Sequence, residues 1–318
     1  MQDELEMRQV LCQTLISMME KDERIVILDA DLSKAVGTTE IHKRFPERAF
    51  NIGIAEQNMV SIAAGLSSYG FIPLTFTFAP FSSRRVCDQI AISVGFGGNS
   101  VKLFGCDPGI TAQINGGTHM GNEDIGVLRS IPNMLIFEAS DTTQMSKLLP
   151  EIIYYDGPVY TRLLRKKAKK IYHEEQEFSL LKAEKVKKGR DVTLAAGGIM
   201  TYFAIKAAEM LREDGIDAEI LDVHTIKPLD IATVIESLKN TGAVVTCDNH
   251  NVIGGIGSAV AEAAGRYCPV PIEYIGVQDI VGEAADLEYL LERFHMTPQD
   301  IADAAKRVIS RKQRTENK

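Results

Sequence analysis

The chain has 318 residues, 45% of them hydrophobic, and a formal net charge of −8 at pH 7. That length supports two domains with separate cores, and an acidic chain lacks the basic surface of a general nucleic-acid binder. No apolar run approaches the roughly 20 residues of a membrane span. The acidic start Met1-Gln2-Asp3-Glu4 does not read as a signal peptide, and five scattered cysteines without a Cys-x-x-Cys pair suit a reducing cytoplasm.

The first half alternates apolar strands with helical patterns. Strands are expected at Arg24–Asp29, Phe71–Phe78, Val101–Phe104, Met134–Phe137 and Val159–Leu163, with helices over Glu4–Lys21, Glu56–Tyr69 and Arg84–Ser93. Between Lys166 and Arg190 two lysine-rich runs flank the acidic Glu174-Glu175-Gln176-Glu177. Such a segment reads as a solvated connector, or as a basic tract holding a polyanion. The second half adds strands at Val192–Ala196, Ala218–Asp222 and Ala243–Thr246, and a helix through Leu211. Gly254-Gly255-Ile256-Gly257 opens another helix; it loosely matches a dinucleotide fingerprint but also suits a tight turn with close packing. The expected architecture is α/β with two doubly wound domains, 1–168 and 190–318, joined by a charged linker over 169–189.

The most informative stretch is Asn51-Ile52-Gly53-Ile54-Ala55-Glu56-Gln57-Asn58-Met59. Helical spacing puts Glu56 on one face with Met59, Val60, Ala63 and Ala64. Burial there would raise its pKa and fit it for sharing a proton. Equally, a glutamate in a first helical turn can be a wet residue favoured by the helix dipole. Phe78 and Phe81 follow at the end of a strand, where they could pack on a flat ring or fill the core. Asp31 after the first strand is a cofactor-side candidate or a turn residue. His119, in Gly116-Gly117-Thr118-His119, is the best histidine candidate for catalysis, although a loop histidine can also be merely superficial. His42, His173 and His295 read as exposed, His224 and His250 as structural. Arg162 and Arg165 could clamp a phosphate or simply open the basic linker. Arg84 and Arg85 could point into a substrate channel or stay on the surface.

The Glu56 segment, with Val60-Ser61-Ile62-Ala63-Ala64-Gly65-Leu66 and Phe76-Thr77-Phe78-Ala79-Pro80-Phe81, resembles the pyrimidine-binding domain of transketolases. Thr225-Ile226-Lys227-Pro228-Leu229-Asp230 and Asp248-Asn249-His250 resemble the C-terminal domain of the same family. The resemblance implies that Glu56 holds the ring nitrogen of thiamine diphosphate and drives the ring to the imino form that deprotonates the thiazolium carbon. It implies Phe78, Phe81 and Asp31 as cofactor contacts and His119 beside the reacting substrate carbons. It also implies Arg165 at the sugar phosphate, with Arg84 and Asp107 as further substrate-side residues.

Three departures bear on the substrate. Asp107 stands where transketolases carry a phosphate-contacting histidine, Val36-Gly37 where they carry a serine, and Asn115 where they carry an acid. Asp107 would repel a phosphate at close range, so an atypical or branched ketose phosphate is expected. The chain has no Gly-Asp-Gly, the motif that with a later Asn-Asn holds Mg²⁺ on the diphosphate in this superfamily. The resemblance and the missing motif therefore imply a split enzyme, and the cysteine usage a cytoplasmic one. A partner subunit would bring that motif and the Mg²⁺, the thiamine diphosphate would be shared, the assembly would be α2β2, and no metal ligands are expected on this chain. The rival enzyme is the beta subunit of a 2-oxo acid dehydrogenase first component. Deoxyxylulose-phosphate synthase shares the Ile-Ala-Glu-Gln core in a longer chain, and a non-catalytic scaffolding relic is the remaining alternative.

Overall fold

The structure is a computed structural model describing residues 3–316, with side chains described as far as Arg314. In the first half, β1 (Ile25–Asp29), β2 (Ala49–Asn51), β3 (Ile72–Phe78), β4 (Lys102–Cys106), β5 (Leu135–Glu138) and β6 (Val159–Leu163) alternate with helices. The second half contributes β7 (Glu184–Lys187), β8 (Val192–Ala196), β9 (Ala218–Asp222), β10 (Thr225–Lys227), β11 (Val244–Asn251) and β12 (Ile272–Val277). The larger sheet runs β10-β5-β6-β4-β3-β1-β2 and the smaller β12-β11-β8-β9-β7. β1 to β6 pair in parallel, as do β8, β9, β11 and β12, while β7 and β10 join antiparallel. Strands covered by helices on both faces bury both sets of side chains and so read as near-continuous apolar runs. Accordingly β1, β4, β5, β6, β8 and β9 are buried at every position.

In the larger sheet the chain turns from β2 back past β1 to β3. This reversal of direction is where open α/β sheets form ligand crevices, outside the carboxyl ends of the strands. Asp31 follows β1, Glu56 opens the helix after β2, Phe78 ends β3, Asp107 follows β4, and Arg165 follows β6. One edge of one sheet thus collects most of the candidate residues.

The segment 169–189 is more than a charged linker. Tyr172 and Leu180 are buried, and Glu184–Lys187 form β7 against β9. The Tyr172 hydroxyl donates to Asp222 (2.6 Å), and the amides of Ile171 and Tyr172 donate to Asp141 (2.9 and 2.8 Å). The charged side chains obscured this because they lie outside while a few apolar ones anchor the segment. The region expected as one helix over Arg84–Ser93 is also different. It divides into a 3₁₀ turn (Arg84–Val86), an α-turn (Cys87–Gln89) and a π-helix (Ile90–Phe96). The Asn99 side chain donates to the Ser93 carbonyl at 2.7 Å, and a competing donor of this kind widens a helical turn.

The two halves share structure. β10, from the second half, extends the larger sheet beyond β5. Two strands along, in β6, Arg162 is fully buried, donating to Asp124 through Nε (2.9 Å), to Glu138 through Nη1 and to the Asn249 carbonyl (2.7 Å). Asp248 lies 3.9 Å from the same guanidinium. His250 accepts from the Gly126 amide at 3.2 Å and faces the Asn251 carbonyl through Nδ1, which suits its expected structural role. Arg162 therefore joins the halves and has no free edge for a substrate phosphate. A buried charge of this kind persists only when paired.

Candidate active site

Glu56 is the first residue of the helix Glu56–Ser68, whose buried positions are Glu56, Met59, Val60, Ala63 and Ala64, the stripe that the spacing predicts. Burying Met59 and Val60 stabilises the helix by about 1.5–3 kcal/mol each and seats the carboxyl beside β3. The Glu56 side chain is 4% exposed, and its Oε1 accepts from Arg85 Nη1 at 2.7 Å. The Arg85 guanidinium lies 3.6 Å from the Phe81 ring centroid. Phe81 meets Phe78 edge-on at 6.2 Å, and His119 approaches both rings, at 5.2 Å from Phe81 and 5.7 Å from Phe78. Glu56, Phe81, Phe78 and His119 thus form one connected cluster through Arg85.

The His119 loop is held by close backbone packing. A Cβ on Gly117 would lie 2.2 Å from the Gly282 carbonyl oxygen, so no larger residue fits without displacing backbone. Arg84 donates to the Thr118 carbonyl at 3.0 Å and pairs with Glu123. Its charge is spent on tethering this loop.

Asp107 is fully buried and its carboxylate grips Arg165 at three points. Oδ1 accepts from the Arg165 amide (3.0 Å), and Oδ2 from Nε (2.7 Å) and Nη2 (2.6 Å). The guanidinium also stands over Phe78, 4.8 Å from its centroid. Arg165 and Arg8 both donate to the Ala35 carbonyl, at 3.3 and 2.6 Å. Asp107 therefore fixes an arginine, whereas the sequence suggested a carboxylate facing a substrate phosphate. Asp31 is more peripheral. It adopts φ +61°, is exposed, and exchanges hydrogen bonds of 3.0 Å with the Asn51 side chain. Asn51 in turn accepts from the Gly53 amide at 2.8 Å, linking the end of β1 to the Glu56 segment.

Two arrangements escape the sequence reading. His42, read as exposed, is bonded to the buried Asp29 carboxylate at the end of β1. Arg85 bridges Glu56 and Phe81, a partnership that reaches 29 residues back to Glu56 and that no local period signals.

The fold is that of a transketolase-type α/β protein, and the chain belongs to the transketolase family. Residues 3–170 match the transketolase pyrimidine binding domain and residues 181–301 the transketolase C-terminal domain. It is 48% identical to a 6-deoxy-6-sulfo-D-fructose transketolase subunit of Clostridium sp. (strain MSTE9), over 96% of this chain and 95% of that protein. It is 34% identical to an apulose-4-phosphate transketolase subunit of Phocaeicola vulgatus, over 86% and 87% of the two chains. A solved split-gene transketolase, described as an inactive beta4 tetramer, superposes with a TM-score of 0.89 at 38% identity, covering 96% of this chain and 99% of that one. Campylobacter jejuni transketolase shares the fold (TM-score 0.79, 22% identity), with this chain covering 46% of it. The chain is accordingly a subunit of a split transketolase, a transferase of the thiamine-diphosphate-dependent family, and the relatives favour this over a 2-oxo acid dehydrogenase beta subunit.

Proposed function

We propose that this chain, joined in an α2β2 assembly to a partner bearing Gly-Asp-Gly and Asn-Asn, transfers a two-carbon ketol unit from a ketose with a terminal monoanion. The partner would hold the diphosphate and Mg²⁺, and this chain the pyrimidine. The residues present fit that half of the cofactor. Glu56 offers a carboxyl whose Oε1 is taken by Arg85, and Phe78, Phe81 and His119 supply converging rings. When bound, thiamine diphosphate supplies the nucleophilic carbon that accepts the two-carbon unit. Glu56 would share a proton with the ring nitrogen and Phe78 and Phe81 would exclude water around the ring, while Asp31 supports the entry to the Glu56 helix. His119 would exchange a proton with a substrate hydroxyl and Arg165 would meet the anionic terminus, while Arg84 secures the His119 loop.

The observation that carries the substrate class is the Asp107–Arg165 grip. A guanidinium already neutralised by a buried carboxylate suits a single negative charge, and a phosphate monoester carries about −1.5 to −2 at pH 7. A sulfonate is a permanent monoanion, and the 48% relative is named for 6-deoxy-6-sulfo-D-fructose. The split-gene relative is inactive as a tetramer of beta chains alone, which supports the need for a partner. A cytoplasmic location belongs to the same reading and is supported by five cysteines that are all free thiols. Among the described residues no helix is long and apolar enough to cross a membrane. The test mixes the chain with a candidate partner, Mg²⁺ and thiamine diphosphate, and assays ketol transfer from 6-deoxy-6-sulfo-D-fructose, fructose 6-phosphate and xylulose 5-phosphate. Activity only in the mixture, highest with the sulfonate, is expected. Cofactor binding without transfer from any ketose would sink the reading.

A further inference from the structure

Arg85 is gripped at both ends by two consecutive residues of the Glu56 segment. Its carbonyl accepts from Gln57 Nε2 at 3.1 Å, and its Nη1 donates to Glu56 Oε1 at 2.7 Å. Its guanidinium also backs the Phe81 ring at 3.6 Å, in contact with the face. Arg84, its neighbour, turns the other way to the His119 loop. Glu56 Oε2 has no partner among the described residues and is not sealed from solvent. One carboxylate oxygen is thus fixed and the other is left without a partner among the described residues.

We propose that Arg85 is a positioning residue for proton transfer by Glu56, an inference that rests on the proposed cofactor chemistry. Arg85 fixes Oε1 and leaves Oε2 to carry the proton that would pass to the ring nitrogen of a bound cofactor. When that proton leaves Oε2, a carboxylate remains at a site only 4% exposed. A buried carboxylate without a partner is costly, and Arg85, already bonded to Oε1, takes up its charge. The same side chain packs on Phe81, so the acid and the aromatic platform move as one unit.

The test uses the reconstituted complex with Arg85→Met, which keeps apolar contact with Phe81 but removes the charge and donors, and with Arg85→Lys, which restores the charge. Two readouts are compared: cofactor affinity by calorimetry, and hydrogen–deuterium exchange at the reactive carbon of the bound cofactor without substrate. The expected result for Arg85→Met is affinity within about five-fold of wild type and exchange slowed on the order of 10–100-fold, because general acid–base contributions span about 10²–10⁴ and Glu56 itself is retained. Arg85→Lys recovers part of that loss. Unchanged exchange, or tighter cofactor binding in Arg85→Met, as a residue that merely occupies the ring's place would give, overturns the proposal. A wild-type complex that binds no cofactor fails the functional reading instead and is distinguished by that control.

Discussion

Replacing Asp107 by asparagine tests the link between a buried pair and substrate choice. The carboxylate contacts Arg165 at 3.0, 2.7 and 2.6 Å with a side chain 1% exposed, so solvent does little to screen the pair. Asparagine keeps the shape and one acceptor, but presents an amide donor to a guanidinium and removes one negative charge. Losing charge-assisted hydrogen bonds costs about 1.5–3 kcal/mol of stability. The specificity effect is separate. At about 6 Å and an effective dielectric near 20, one unit of charge on the ligand is worth roughly 3 kcal/mol. A phosphate carries about half to one more negative charge than a sulfonate, so unmasking Arg165 should favour phosphate by about 1.4–2.8 kcal/mol, or roughly 10–100-fold. The assay is the ratio of kcat/KM for fructose 6-phosphate to that for 6-deoxy-6-sulfo-D-fructose, in complexes shown by thermal denaturation to be folded. A ratio unchanged within about three-fold, or shifted toward the sulfonate, would refute the charge argument.

Glu56→Ala should reduce ketol transfer by at least the 10²–10⁴-fold typical of a lost proton donor while leaving the Tm nearly unchanged, because Arg85 is 39% exposed and can return to water; turnover within a few-fold of wild type would remove Glu56 from the mechanism. Arg162→Met leaves Asp124, Glu138 and Asp248 without their shared partner, so chemical denaturation should show a loss of about 3–5 kcal/mol, and a loss under about 1 kcal/mol would contradict the pairing. Burial pushes the Glu138 carboxyl up to about 7, against the opposing pull of Arg162. Because the folded state holds this proton more tightly than the unfolded chain, its contribution is fully present below about pH 4.5 and lost as pH rises through about 7; that amounts to about 3 kcal/mol for this group. Comparing the pH dependence of stability in wild type and Glu138→Gln isolates the term, which should be absent in the variant.

The legible parts were those encoded by local period. Parallel strands appear as short apolar runs, and Val159–Leu163, Val192–Ala196 and Ala218–Asp222 occur at their expected bounds. The Glu56 stripe was readable because a helix repeats its buried face every three to four residues. What the sequence concealed are partnerships between distant residues. Arg162 meets acids 38 and 24 residues away, and Arg165 meets Asp107 across 58. Each arginine alone resembles a phosphate ligand, and only the packed structure shows that both are already paired with carboxylates. β10 was hidden for another reason. A three-residue strand has too little pattern to register, and its partner strand β5 lies in the other half of the chain.

β10 also constrains where such an enzyme can be divided into separate polypeptides. Stopping a polypeptide before residue 190 would strip Thr225–Lys227 from β5, leave a sheet edge unpaired and strand the buried Arg162 cluster without Asp248 and Asn249. Unpaired edges invite association with other chains. Pyrimidine-binding and C-terminal portions thus share one physical fate: a break between them yields two sticky fragments.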